Sequence, residues 1–147
     1  MKIFLIFFTF FYFFFAEAVE KPINGTYQEY FDNNSLKYEI TFKAGKKHGQ
    51  EKFWYENGQL KMQSHFIDGI EDGQWTQWFQ NGQIKLNVTY KDGKENGMWT
   101  QWFDNGQLKS ESHFKMGIKE GIETIWNRDG SIKSKDLYQE GQIIKSP

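Results

Sequence analysis

The chain repeats itself every 24 residues, and this period constrains the fold more than any other feature. The clearest copies are residues 73–85, GQWTQWFQNGQIK, and residues 97–109, GMWTQWFDNGQLK. Further units begin at Gly49 and Gly121, and a fainter copy begins at Gly25. Five units at one spacing, without insertions, predict a repeat protein in which each unit packs mainly against its neighbours.

Each unit carries the sequence signals of a β-hairpin. An aromatic segment leads to a turn dipeptide, and Asn-Gly and Asp-Gly favour two-residue type I′ turns because both central residues need positive φ. These dipeptides are Asn57-Gly58, Asn81-Gly82, Asn105-Gly106 and Asp129-Gly130, with the weaker Asn33-Asn34 in the first unit. Alternating apolar residues follow the turn, and a second glycine turn closes each unit.

Five hairpins in series predict an all-β fold, an elongated antiparallel meander of about ten short strands in one single-layer twisted sheet. A rolled or partly closed sheet is the alternative. Because one layer cannot enclose a thick core, side-chain ladders between units should supply the stability. We place the units at 25–48, 49–72, 73–96, 97–120 and 121–144, with a lead at 19–24 and a tail at 145–147.

Two-residue turns would also fix which side chains face each other. In the fourth unit the expected pairs are Phe103–Leu108, Gln101–Ser110, Trp99–Ser112 and Gly97–Phe114. On the opposite face, the second tryptophan of each unit would lie across from a lysine whose ammonium covers the indole. These pairs are Trp54 with Lys61, Trp78 with Lys85, Trp102 with Lys109 and Trp126 with Lys133. Three-residue loops with a bulge would move the pairings by one residue.

The N-terminus is a predicted secretory signal peptide. Lys2 gives a minimal positive region, residues 3–15 are almost entirely apolar, and Ala16-Glu17-Ala18 fits a small-x-small cleavage site. A transmembrane anchor is the alternative, but it needs about 20 apolar residues. We therefore expect cleavage of residues 1–18 after Ala18 and a secreted or periplasmic mature protein.

Composition excludes several kinds of chemistry. The sequence has no cysteine, which excludes disulfides, thiol catalysis and zinc-thiolate sites. A formal net charge of -1 gives no basic field to attract nucleic acid or an anionic membrane. His65 and His113 lie two units apart, His48 lies in a turn without a His, Asp or Glu cluster, and the serines lack a nucleophile motif. We expect no catalytic residues, no cofactor and no metal, hence no enzyme.

The repeated pattern G-x-W-x-x-W-F-x-N-G-Q-(I/L)-K, with its later aromatic-x-x-Gly step, resembles the MORN-repeat variant. That variant is typical of the YwqK family, which is labelled as an antitoxin of toxin–antitoxin systems. The resemblance covers residues 25 to about 141. It implies an elongated sheet of stacked hairpins that binds a protein rather than catalysing a reaction.

The leading functional hypothesis is an exported protein-interaction module, for which the resemblance implies an antitoxin-like role. Its expected binding surface combines the tryptophan column with its lysines, because aromatic residues are enriched in binding hot spots. The competing interpretation is that this column is structural. A cell-wall or glycan binder and a membrane-surface MORN protein are further alternatives, although membrane association is not expected once the signal peptide is removed. No nucleic-acid partner is expected.

Overall fold

A computed structural model of the protein describes residues 21–145. The predicted signal peptide and its cleavage site, the first two residues of the lead and the last two of the tail lie outside this range. The described part forms twelve β-strands in one open antiparallel sheet, and it contains no helix. The prediction of an all-β meander of stacked hairpins is confirmed.

The strands follow one another across the sheet in chain order, except that the short β5 pairs only with β4. They are β1 Gly25–Tyr30, β2 Leu36–Lys43, β3 Lys46–Trp54, β4 Leu60–Ile67, β5 Ile70–Glu71, β6 Gly73–Trp78, β7 Ile84–Lys91, β8 Lys94–Trp102, β9 Leu108–Lys115, β10 Ile118–Trp126, β11 Ile132–Gln139 and β12 Gln142–Lys145. The count exceeds ten because Asp72 separates β5 from β6, and because β12 follows the second turn of the fifth unit.

The Asn-Gly turns are three-residue loops, so the prediction of two-residue type I′ turns at these dipeptides is wrong. In the fourth unit, Gly106 N–H donates to the Phe103 carbonyl at 3.0 Å, and Phe103 N–H donates to the Gln107 carbonyl at 2.8 Å. The positive φ belongs to Gly106, at 84°, and not to Asn105. This is a type I turn followed by a left-handed glycine. The Asn105 side chain instead accepts the Gln107 N–H at 3.2 Å, which stabilises the turn.

The two-residue type I′ turns occur at the second glycine of each unit. Met116 and Gly117 have φ values of 51° and 83°, and they join the paired residues Lys115 and Ile118. Equivalent turns are Ala44-Gly45, Asp68-Gly69, Asp92-Gly93 and Glu140-Gly141. In the second to fifth units this turn bonds to the preceding unit, as when Gly117 N–H donates to the Glu95 carbonyl at 2.8 Å; in the first unit Gly45 N–H donates to the Ile23 carbonyl of the lead. The second turns therefore tie neighbouring units together along one edge.

The register within each hairpin agrees with the sequence except beside the turn. The pairs Gly97–Phe114, Trp99–Ser112 and Gln101–Ser110 are confirmed. The pair Phe103–Leu108 is wrong, because Trp102 is the partner of Leu108 and the register shifts between Gln101 and Trp102. The extra residue on the return strand is Lys109, so the bulge alternative describes this position.

The two faces of the sheet differ in burial. Ile40, Ser64, Val88 and Ser112 occupy equivalent positions in four successive units, and their exposed fractions are 0%, 2%, 2% and 2%. We call the side that carries them the core face, and the opposite side the outer face. Tyr38, Ile40, Phe42 and Phe66 form a buried cluster on the core face of β2 and β4. The best-packed part of the sheet is therefore its N-terminal half.

Candidate functional site

The predicted tryptophan column lies at the ends of β3, β6, β8 and β10, on the outer face. Its members Trp54, Trp78, Trp102 and Trp126 are all half-buried. Equivalent residues are two strands apart, which spaces the indoles by about 10 Å. Each tryptophan is paired across the strand with an aliphatic residue, in the order Leu60, Ile84, Leu108 and Ile132. The column is thus a stripe of indoles beside branched aliphatic side chains.

The lysines do not cover these indoles, so this part of the sequence prediction is wrong. Lys61, Lys85 and Lys109 place their ammonium groups over the aromatic residue that follows each tryptophan, at 5.6, 5.7 and 5.9 Å from the ring centroids of Tyr55, Phe79 and Phe103. The cause is the bulge, which removes each lysine from the position opposite the tryptophan.

The fifth unit lacks this cation–π contact. Asn127 occupies the position of the missing ring, and Lys133 is exposed. Arg128 instead extends to the preceding unit, with its guanidinium 5.8 Å from the Phe103 centroid, and it pairs with Asp104. Lys133 therefore belongs to the predicted site by position alone, whereas the other three lysines each contact a ring.

Exposed apolar side chains add to the outer face in the last two units. Met98 and Ile122 are 50% and 61% exposed, and they lie on the strands that end in Trp102 and Trp126. Ile132, the cross-strand partner of Trp126, is 54% exposed. Sequence reasoning overlooked these residues. The signal was present, because the positions of Met98 and Ile122 hold Thr26, Gln50 and Gln74 in the first three units.

Backbone and side-chain bonds connect the first turns of neighbouring units. Tyr55 Oη donates to the Trp78 carbonyl at 2.8 Å, and Asn81 Nδ2 donates to the Asp104 carbonyl at 3.0 Å. Asn105 Nδ2 reaches the Arg128 carbonyl at 3.4 Å in the same manner. These contacts fix the spacing of the tryptophan column, because each turn carries the residue next to its tryptophan.

The core face holds a buried carboxylate in the second unit. Glu51 is 4% exposed, and its Oε1 accepts bonds from Tyr38 Oη at 2.7 Å and from Lys47 Nζ at 2.5 Å. Its Oε2 accepts the Ser64 hydroxyl at 3.2 Å. Burial, followed by the bond to Glu51, raises the pKa of Tyr38 above its ordinary value. Because both oxygens of the Glu51 carboxylate accept hydrogen bonds, we interpret this group as a structural network.

The fifth unit repeats this arrangement. Glu123 accepts Lys119 Nζ at 2.8 Å and Tyr138 Oη at 3.0 Å. Burial, and then the bond to Glu123, raises the pKa of Tyr138. The core face therefore has a lysine–glutamate–tyrosine group near each end.

The middle of the core face differs from both ends. Trp75 and Trp99 take the positions of the two glutamates, and both are register partners of the buried Val88. Glu71 and Glu95 take the positions of the two lysines. Burial, followed by the charge of Glu51, raises the pKa of Glu71. Two half-buried carboxylates thus lie beside two half-buried indoles.

Within residues 21–145, no group of three or more His, Asp or Glu side chains is placed to hold a metal ion. A cleft beside the second turns is lined by Asp68, Asp72, Lys91 and Asp92, where Lys91 and Asp72 form an ion pair at 2.8 Å. The described part also contains no helix that could cross a membrane.

Comparison with known proteins agrees with the repeat geometry. The family described as MORN repeat variant matches residues 23–44, 47–68, 71–92, 95–116 and 119–140. These five matches recur at the 24-residue period and together cover most of the chain. No curated protein matches the chain. With five matched repeats, each forming one hairpin of the sheet, the protein belongs to the MORN repeat variant family.

Proposed function

We propose that the mature chain is an exported, non-enzymatic protein-interaction module that binds a protein on the outer face of its fourth and fifth units. The observation that carries the proposal is the exposure of Met98 and Ile122, at 50% and 61%, on the strands that end in the half-buried Trp102 and Trp126. Exposed apolar residues that share a face with aromatic side chains are characteristic of protein-binding surfaces.

The composition of this stripe favours a protein over a glycan. Leu108 and Ile132 lie beside the indoles of Trp102 and Trp126. A glycan site requires polar groups placed to bond hydroxyls, in addition to an aromatic platform. Aliphatic neighbours instead suit the apolar side chains of a partner protein, and the near-zero net charge gives no attraction to anionic lipid.

The repeats supply a substitution that tests the proposal without disturbing the fold. The double variant Met98→Gln with Ile122→Gln introduces glutamine, the residue found at the equivalent position in the second and third units. The wild-type mature chain should capture a protein from envelope and culture-medium extracts, and the double variant should lose it at unchanged thermal stability.

A matched control removes similar apolar surface at the second-turn edge. Ile70, in the second unit, is 52% exposed, and Lys46 and Lys94 occupy the same position in other units. The variant Ile70→Lys should therefore retain the captured protein. Capture that survives Met98→Gln with Ile122→Gln would reject the outer face as the binding surface.

An antitoxin-like role is the more specific form of this proposal. It follows the resemblance to the YwqK family, and it requires an exported partner because the mature chain is itself expected outside the cytoplasm. Co-expression with an exported toxin encoded by a neighbouring gene should restore growth only when the outer face is intact. If the Met98→Gln, Ile122→Gln variant neutralises the toxin as well as wild type does, the outer face has no part in that role.

A further inference from the structure

The core face carries a row of alternating aromatic and charged side chains close to the second turns. In order along the sheet they are Phe42, Lys47, Phe66, Glu71, Tyr90, Glu95, Phe114, Lys119 and Tyr138. Each charged residue is the register partner of the aromatic residue before it. Lysines occupy the outer charged positions of the row, and glutamates occupy the two inner ones.

The two lysines show how this row holds a cation. Lys47 Nζ lies 4.7 Å from the Phe66 centroid and 2.5 Å from Glu51 Oε1. Lys119 Nζ lies 4.7 Å from the Tyr138 centroid, 5.7 Å from that of Phe114 and 2.8 Å from Glu123 Oε1. In both places an ammonium group is held between a ring face and a carboxylate, which is a favourable environment for a cation.

The two inner charged positions of the row have rings beside them as well, but they hold glutamates in place of the lysines. Glu71 and Glu95 lie on either side of Tyr90, and both carboxylates contribute to the raised pKa of Tyr90 after the larger effect of burial. Neither glutamate forms a salt bridge with a described residue; Lys47, whose charge offsets only part of the rise in the pKa of Glu71, is bonded to Glu51. The inner positions of the row thus present carboxylates and rings, whereas the outer positions supply their own lysine.

Exposure and spacing allow a side chain from another molecule to reach this position. Glu71, Tyr90 and Glu95 are half-buried, as are Trp75 and Trp99 beside them. Equivalent residues two strands apart are separated by about 10 Å, so Tyr90 lies about 5 Å, within the plane of the sheet, from the strand of either glutamate. A single ammonium or guanidinium group above the ring of Tyr90 therefore has one glutamate on each side.

We propose that the middle of the core face binds a lysine or arginine side chain of a partner polypeptide, between Glu71 and Glu95, over Tyr90 and flanked by Trp75 and Trp99. The carboxylates attract the cation, and the rings cover its hydrocarbon stem and its charge. This site is on the opposite side of the sheet from the tryptophan column, so it goes beyond the proposed outer-face function.

The site can be tested with a simple probe. Mature protein labelled with nitrogen-15 is titrated with N-acetylated, C-amidated trilysine, and the six indole N–H signals of the chain are followed by NMR. The signals of Trp75 and Trp99 should shift, with a dissociation constant of about 1 mM. Trp54 and Trp78 on the outer face should be unaffected, and blocked triglutamine should shift none of the six.

Two variants separate the site from general charge effects. Glu71→Gln with Glu95→Gln should weaken trilysine binding at least about tenfold, which corresponds to about 1.4 kcal/mol. Glu39→Gln with Glu111→Gln makes the same charge change on the outer face and should leave binding unchanged. Retained binding in the first pair, or equal loss in both pairs, would overturn the proposal.

A third variant supplies the cation from the protein's own chain. Glu95→Lys with Trp99→Glu reproduces the lysine–glutamate pair of Lys119 and Glu123, and it should abolish trilysine binding while the circular dichroism spectrum stays that of a folded sheet. Binding that persists in this variant, or wild-type indoles that do not shift at about 10 mM trilysine, would contradict the site. The titration uses no outer-face partner, so a failed capture experiment would not decide its outcome.

Discussion

Truncation of Val88 tests whether the side-chain ladder of the core face holds the sheet together. Val88 is 2% exposed, and its register partners are Trp75 on one side and Trp99 on the other. Val88→Ala removes two methyl groups, which costs about 1.6 kcal/mol of transfer free energy at about 0.8 kcal/mol per group. The space left between two large indoles adds a cavity cost, so we expect a total loss of about 2–3 kcal/mol.

The assay is urea unfolding of the mature chain, followed by far-ultraviolet circular dichroism. The midpoint should fall while the slope stays unchanged, since the variant exposes the same surface on unfolding. Thr89→Ala is the matched control, because Thr89 is the adjacent, exposed residue of the same strand, and it should cost less than about 0.5 kcal/mol. A Val88→Ala loss no larger than that of the control would refute the ladder as the source of stability.

Three further predictions follow from the turns, the buried phenol and the tryptophan column. Gly106→Ala should destabilise by about 1–2 kcal/mol, because its φ of 84° is unfavourable for a residue with a Cβ atom; an unchanged melting temperature would contradict the left-handed turn. The pKa of Tyr38 is raised above its ordinary value of 10.0, so the unfolded chain loses this proton at lower pH than the folded protein does. The contribution of Tyr38 to the free energy of unfolding is therefore fully present below about pH 10 and declines above it, by up to about 1.4 kcal/mol per pH unit. Tyr38→Phe should flatten the decline in urea midpoints between about pH 9 and pH 11. Trp78→Ala with Trp102→Ala should abolish partner capture and also lower the melting temperature, since both indoles are half-buried; lost stability with full capture would identify the column as structural.

The repeat period was enough to predict most of the fold. A fixed 24-residue spacing with alternating apolar residues leaves few architectures other than stacked hairpins. The register of Trp99 with Ser112 followed from counting residues back from the turn. These features depend on local periodicity, which a single sequence displays directly.

The turn types and the lysine contacts could not be predicted in the same way. Asn105-Gly106 is compatible with a type I′ turn and with a type I turn followed by a left-handed glycine. The structure adopts the second, in which the asparagine is used for its side-chain oxygen. Because that choice inserts a bulge at Lys109, it also moves the ammonium from Trp102 to Phe103.

The core-face row was visible in the sequence only in part. Lys47, Glu71, Glu95 and Lys119 recur at the 24-residue period, but their partners lie on neighbouring strands. The residues that follow the second turn pair with the strand that precedes it, and the chain then bulges at the leading glycine of the next unit, as shown by the register shift between Val88 and Tyr90. Only the register across this bulge places Trp99 opposite Val88, and so on the same part of the core face as the Tyr90–Glu95 pair.

Site-specific photo-crosslinking in the source cells tests the central claim, that a protein docks on the outer face of the fourth and fifth units. A benzophenone amino acid is introduced singly at Met98 or Ile122 on the outer face, and at Ile70 on the second-turn edge of the second unit, where exposure is similar. The account predicts a discrete protein adduct from Met98 and from Ile122, and none from Ile70. Adducts of the same size from all three positions, or none from Met98 and Ile122, would contradict it.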